Sequence, residues 1–412
     1  MKQRIWGNAG DNYHASTVEY ASVERFTGLR STESHRYTVC PASGTMSGLN
    51  VQLGGAPGAG KSITFVLMVN GSPSTLTVTI SGDTDTFGAD SANEVSITAG
   101  DLLSIRTTPS GTPTVSPADW NMTFTGSTDK ESILMGLTAQ IGFSASATEF
   151  SGLSGWTGQG PDATEANTQQ LCAGAGTIKS LYVKLVMDPG TAPDAYRFTV
   201  RLNGSSTVLT TTITADDTTG SDLVNSFTVA PGDLLTIMSE PLNTPSVEPF
   251  ATWGVVFLAD TDGESLVLAG TANTLHQSNT EFMALRPNQM GSLWVTASNS
   301  HNNYMGPGVL RKMYVRLSVA PGSGGDSYTF SPRHIDVEAG NQSVTITDAE
   351  TTGSDTVNKD AIDEADVWNI GCVPANGPTN APQAWWGFVM FIGVDKGAKG
   401  SMGRAMVAAG YI

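Results

Sequence analysis

The sequence predicts an all-β chain of three tandem antiparallel β-sandwich domains, jelly-roll-like in kind, and three observations lead there. The first is a repeat. "LNVQLGGAPGAGKSITFVLMVNGSPSTLTVTI" returns as "LYVKLVMDPGTAPDAYRFTVRLNGSSTVLTTTI" and again as "MYVRLSVAPGSGGDSYTFSPRHIDVEAGNQSVTI". Asp101, Asp233 and Asp366 follow in register at steps of 132 and 133, and Trp120, Trp253 and Trp386 at steps of 133. A period of that size is a domain rather than a solenoid turn; it sets the units at 1–128, 129–260 and 261–412. The second observation is alternation with period two in short runs rich in Val, Thr, Leu and Phe, with no helical period anywhere. The third is turn chemistry, with Asn70-Gly71 and Asn203-Gly204 as tight hairpin signals.

Taken in order through the second copy, the alternation predicts strands at Leu181–Val186, Tyr196–Leu202, Val208–Thr214, Ser226–Val229, Leu234–Met238 and Thr252–Leu258. Two more precede Cys172, giving about eight strands per unit, the number that builds a double-sheet jelly roll. Each unit opens on an apolar segment leading to glycine, at Gly7, Gly136 and Gly270, and the chain ends on a fourth, "GRAMVAAGYI", leading to Gly410. Arg404–Ala409 is then either the last strand of the third unit or a surplus strand. In the second case Arg404, Met406 and Val407 pair with a neighbouring chain by edge addition.

Composition narrows the function classes. Hydrophobic residues at 39% suffice for cores, whereas charged residues at 14% fall well below the usual quarter. A net charge of −17 repels phosphate backbones, so nucleic acid is not an expected partner. No run of 18 apolar residues occurs and the N-terminus lacks an apolar signal region, so neither a membrane span nor Sec export is expected. The sequons at Asn70, Asn121, Asn203 and Asn341 are then idle. Cys40, Cys172 and Cys372 are odd in number and unsuited to a disulfide framework; Cys40 and Cys172 occupy matching places in different units and read as small buried apolar residues.

"GAPGAGKS", Gly55 to Ser62, spells a phosphate-binding loop. A working one needs a helix after the lysine, whose N-terminus faces the anion. Here "ITFVLMVNG" follows, which is a strand, and the sister loops "PGTAPDAY" and "PGSGGDSY" put Asp194 and Asp326 where Lys61 stands. The loop is therefore expected to be a hairpin connection without nucleotide.

Other chemistry is sparse. The five histidines are scattered, with no metal-binding spacing and no esterase elbow, so no catalytic residue, metal or cofactor is expected. Nothing singles out a carboxylate pair for glycoside hydrolysis. Acidic turns recur at Asp83 and Asp85, at Asp216, Asp217 and Asp222, and at Asp348, Glu350 and Asp355. They suit either calcium or plain solvated turns. Trp120, Trp253 and Trp386 fit core positions better than sugar platforms. Trp156, in "SGLSGWTGQG", reads as a loop residue and a surface contact.

The unit "AGTIKSLYVKL…PG…YRFTVRLNG…SFTVAPGDLLTI…TPSVEPFATWGVVF" resembles a repeat found in uncharacterised structural proteins of tailed bacteriophages, over nearly the whole chain. That resemblance implies a virion component: a capsid decoration, head fibre or tail appendage, made in the host cytoplasm and partnered by copies of itself and other virion proteins. The expected function is non-enzymatic assembly through sandwich edges and loops. The alternative is a module that binds glycans on a host surface.

Overall fold

The computed structural model describes residues 1–412 except 27, 139–140, 157–159, 287–292, 298–302, 335–338, 364–365 and 393–412. Among the described residues the chain is all-β, built of several antiparallel sheets with two short 3-10 turns at Glu33–Arg36 and Glu165–Asn167. The first repeat contributes β1 (Lys2–Asn8), β2 (Glu19–Ala21), β3 (Arg25–Phe26), β4 (Thr38–Val39), β5 (Gly44–Leu53), β6 (Gly58–Val69), β7 (Ser72–Gly82), β8 (Phe87–Ile97), β9 (Leu102–Ser110) and β10 (Ala118–Gly126). The second runs through β11 (Glu131–Leu137), β12 (Glu149–Ser151), β13 (Gly155–Trp156), β14 (Gln170–Leu171), β15 (Gly176–Leu185), β16 (Ala195–Leu202), β17 (Ser205–Thr214), β18 (Thr219–Val229), β19 (Leu234–Leu242) and β20 (Ala251–Ala259). The third holds β21 (Glu264–Thr274), β22 (Glu281–Ala284), β23 (Asn303–Tyr304), β24 (Gly308–Leu317), β25 (Ser327–His334), β26 (Val344–Thr347), β27 (Thr352–Ile362), β28 (Val367–Ala375) and β29 (Gln383–Phe391).

Strand order repeats with the sequence. One sheet of the first repeat runs β3-β1-β10-β5-β8 and the other β2-β9-β6-β7, with β4 also on β9. The second repeat gives β13-β11-β20-β15-β18, matched by β12, β16 and β17 around β19. In the third, β21-β29-β24-β27 pairs off against β22-β28-β25-β26. The expected Asn-Gly turns close β6–β7 and β16–β17, with positive φ at both central residues (51° and 76°, 51° and 79°) as a type I′ hairpin requires. Register puts Gly7, Gly136 and Ala269 opposite Trp120, Trp253 and Trp386, so the third equivalent is Ala269, one residue before the glycine expected there.

Each tryptophan is fully buried, and its indole N–H donates to a backbone carbonyl, of Val23 (3.0 Å), Leu153 (3.0 Å) or Leu285 (2.7 Å). These are core positions. Three clusters of buried side chains surround them, and each borrows from a neighbouring repeat. Ile133, Met135 and Val256 of the second repeat enter the first core; Leu266, Leu268 and Val389 of the third enter the second; Trp6 of the first enters the third. The contacts therefore run in a cycle. Alternation explains how. Along β11, Leu134 faces its own core while Ile133 and Met135 face the preceding one, and β21 divides Val267 from Leu266 and Leu268 in the same way.

The short strands make the junctions. Val39 of β4 donates its N–H to Thr252 Oγ1 (3.2 Å), and its carbonyl would lie 2.6 Å from a Cβ placed on Gly254. Leu171 of β14 covers Gly387 in the same manner and pairs with Ala269, joining sheets of the second and third repeats into one of nine strands. β23 closes the cycle against β1 and β10, with Gly306 on the Asn121 amide and Arg4 Nε donating to Pro307 O (3.3 Å). Arg286 completes this third junction. It pairs with Glu24 (2.7 Å), donates to Trp6 O (3.0 Å) and lies 4.6 Å above the Trp6 ring, with both charged residues nearly solvent-free.

A second device recurs three times. Opposite Gly48, Ser180 and Lys312, all with positive φ, the strands β8, β18 and β27 bulge outward after Asp90, Asp222 and Asp355. Each carboxylate gathers that bulge. Asp222 accepts from Val224 N (3.2 Å), Asn225 N (3.0 Å), Asn225 Nδ2 (3.0 Å) and, across to β17, Thr210 N (3.0 Å). Burial pushes these carboxyls up, but the accepted hydrogen bonds together outweigh it and hold all three below the ordinary range. Of the acids expected in turns, Asp83, Asp216 and Asp348 do stand in turns, whereas Asp222 and Asp355 stand within strands. β18 begins at Thr219, well before the predicted Ser226, because the bulge disguises the alternation.

Two outcomes follow. Arg286→Met leaves Glu24 buried and unpaired, and it should cost about 3–5 kcal/mol in urea unfolding, where an isolated surface pair would cost under about 1 kcal/mol. Asp222→Ala should cost about 2–3 kcal/mol at pH 7 from lost charged hydrogen bonds. The folded pKa is depressed, so this contribution is complete above the unfolded value near pH 3.9 and disappears as pH falls through the folded one. Unfolding curves of the two chains should converge as pH falls through that folded value.

Candidate binding site

The sequence-derived sites resolve as follows. Lys61 lies inside β6, four residues into a strand that pairs with β7 and β9, so no helix terminus faces the loop. The equivalent Asp194 and Asp326 tie down their own loops: Asp194 accepts from Ser246 N (3.2 Å), and Asp326 from Thr379 N (3.2 Å) and Thr379 Oγ1 (3.1 Å). Among the described residues no group of three His, Cys, Asp or Glu side chains is arranged to hold a metal. Trp156 is the second residue of β13, in parallel register with Leu137, and not in an open loop as expected. Arg404, Met406 and Val407 fall outside the described residues. Cys40, Cys172 and Cys372 are free and buried; burial drives the first two thiols up to about 12, so they stay protonated and unreactive.

Histidines serve the loops. His14 Nδ1 accepts from Ser16 N and Thr17 N (both 3.1 Å), and His276 Nδ1 from Ser278 N (3.0 Å) and Asn279 N (3.1 Å). His334 hydrogen-bonds Asp366 (3.0 Å), while the matching Asp101 and Asp233 are bonded by Asn70 and Asn203 (2.8 and 2.7 Å).

The junctions between repeats hold the open grooves. Between the first and second repeats, a groove of about 460 Å3 is walled by Val39, Gly100, Tyr182, Lys184 and Gly220. Its counterpart of about 360 Å3, between the second and third, is walled by Leu171, Gly232, Tyr314, Arg316 and Gly353. The match is positional, and it follows from the repeat: "LYVKL" and "MYVRL" each put a tyrosine and a cation two residues apart on one face of a strand. The first copy reads "LNVQL", and there Asn50 bonds Asn121 (3.2 Å) while Gln52 bonds Leu53 O (2.9 Å) and Thr86 O (3.1 Å).

The two grooves differ beyond the tyrosine. Lys184 is held by Thr218 Oγ1 (2.6 Å), and the space beside it is packed by the edge-on ring pair His35–Phe250, 5.1 Å between centroids. At the same places the later junction has Asn167 and Gln383, joined by an amide hydrogen bond (3.2 Å). A second groove of about 710 Å3 opens there, on the other side of Pro231-Gly232, lined by Arg316, Gln169, Asn203, Asp233, Gln383 and Trp385. Trp385 is 5% exposed and its indole N–H has no partner among the described residues. Asn203 and Asp233 stood out in the sequence only as a hairpin signal and a repeat marker, and Arg316, Gln169, Gln383 and Trp385 did not stand out at all. The available signal was the doublet Trp385-Trp386, where the other copies read Asp119-Trp120 and Thr252-Trp253.

No protein-family model matches the chain, and no curated protein matches it.

The strand position of Lys61 has a measurable outcome. Lys61→Ala should change stability by no more than about 0.5 kcal/mol, and magnesium-ATP should leave the melting temperature of both chains unchanged. A nucleotide-dependent rise that vanishes in the variant would restore the phosphate-loop reading.

Proposed function

We propose that the chain is a non-enzymatic structural component of a tailed-phage particle, three jelly-roll sandwiches closed into a quasi-threefold ring. The jelly-roll reading is supported by the strand orders, which set four strands against four in each repeat, β1-β10-β5-β8 against β2-β9-β6-β7 in the first. One observation carries the functional reading: the cyclic exchange of core side chains, which makes one chain a self-contained ring of three similar lobes. Such a ring presents the same outer surface three times. Its mechanism is assembly, as a capsid decoration, head fibre or tail appendage, with copies of itself and other virion proteins as partners. It folds in the host cytoplasm and resides on the particle.

The outer edges suit that role. Val224 (91% exposed) and Val357 (81%) stand at equivalent bulges of β18 and β27, beside Leu223 (56%). Low surface charge leaves little to desolvate when such edges meet a neighbour. Light scattering on the purified chain should therefore show an oligomer, and specific antibody should label particles in negative stain. Val224→Asp with Val357→Asp, or deletion of residues 402–412, should weaken association at least about tenfold while leaving thermal unfolding intact. A monomer indifferent to all of these changes, and particles without label, would overturn the proposal.

A further inference from the structure

We propose that the groove of about 710 Å3 between the second and third repeats binds an uncharged oligosaccharide. This goes beyond the assembly reading and does not depend on it.

Two side chains line that groove with hydrogen-bonding capacity unspent. Arg316 and Gln169 are half-buried and meet no partner among the described residues. Donors left without a protein partner in a concave space are available to a ligand. Packing between repeats does not require such an opening. At the sister junction Lys184 bonds Thr218, Thr252 stands at the place of Trp385 and accepts from Val39 N, and His35 and Phe250 fill the gap. The same backbone frame thus carries a packed version in one place and an open one in the other.

The chemistry of the open version selects hydroxyl groups. Arg316 and Gln169 offer donors, while the Asp233 carboxylate on the same wall offers acceptor lone pairs. Asp233 already accepts from Ala230 N (2.7 Å) and Asn203 Nδ2 (2.7 Å), which fixes its orientation. One positive and one negative group side by side disfavour a free anion and suit a neutral molecule whose hydroxyls both donate and accept. The groove lies within the range of about 300–1,000 Å3 usual for ligand sites. It continues past Pro231-Gly232 into the adjoining space under Tyr314, since Arg316 lines both, which gives an extended ligand room and an aromatic face.

The test is a panel of immobilised neutral and acidic oligosaccharides probed with the labelled full-length chain. Expected is binding to neutral members, weakened at least about tenfold by Arg316→Met and by Gln169→Ala, and unchanged by Lys184→Met at the sister junction. No binding to any neutral member, binding indifferent to Arg316 and Gln169, or equal loss with Lys184→Met would each overturn the site. Retention confined to acidic members and abolished by 0.5 M salt would also overturn it, in favour of simple charge attraction. Melting curves of every variant separate loss of binding from loss of fold.

Discussion

Strands β11 and β21 have no side turned to water: every residue from Glu131 to Leu137, and from Glu264 to Thr271, is buried. A strand inside a sandwich normally buries one face and wets the other. Here the second face lies in the core of the preceding repeat, so neither core is complete without its neighbour. Burying an aliphatic side chain stabilises by about 1.5–3 kcal/mol, and each of these strands places two such side chains in a foreign core. The repeats are consequently held to one another by the same force that folds them. β1 is the variant. Its sequence, KQRIWGN, keeps Ile5 and Trp6 for the two cores, but carries Arg4 where β11 and β21 have Ile133 and Leu266, and Gln3 where they have Ser132 and Ser265. Gln3 substitutes for backbone pairing, donating to Ile133 O (2.8 Å) and accepting from Ile133 N (2.7 Å), which satisfies polar groups that β11 would otherwise bury unpaired.

Double burial also explains what the sequence disclosed and what it withheld. The repeat, the Asn-Gly hairpins, the core tryptophans and the strand after Lys61 were all readable, because each depends on local pattern and on comparison between copies. "SILMGL" and "SLVLAG" were visible as apolar runs, but an apolar run does not state which two bodies it separates. The two-residue strands β4, β14 and β23 are too short to show alternation, yet they set the order of the cycle. Asp222 misled for a related reason: an acid near Thr, Gly and Ser has the composition of a turn, and only the pairing of Leu181 with Asp222 and Lys179 with Ser226 reveals a bulge inside a strand. The candidate groove was hidden most completely. Arg316, Gln169, Asn203 and Trp385 are distant in sequence, and they meet only because Leu171 lies across Gly387.

The bulges bear on solubility as well as on fold. β8, β18 and β27 each end their row of strands, and a long edge with free N–H and C=O groups invites pairing with another chain. Two residues looped out beside Asp90, Asp222 or Asp355 interrupt that row of groups, and the carboxylate consumes three backbone donors that a foreign strand would use. Exposed Val224 and Val357 therefore present side chains for contact without presenting backbone for strand addition. An edge of this kind favours association that is specific in geometry over open-ended stacking.

A ring made from one chain differs from a ring of three identical chains in what its junctions are free to become. In a symmetric trimer any change at one junction is imposed on all three. Here closure is achieved three ways: by Val39 over Gly254, by Leu171 over Gly387, and by Gly306 on Asn121 with the buried Arg286–Glu24 pair. The first is packed with aromatic rings, and the third is locked by charge and amides. The second is secured by the continuous sheet through Leu171 and Ala269, so its polar side chains need not carry the contact, and Arg316 meets no partner among the described residues. Junctions built from one chain can therefore diverge, two of them packed or charge-locked and one open.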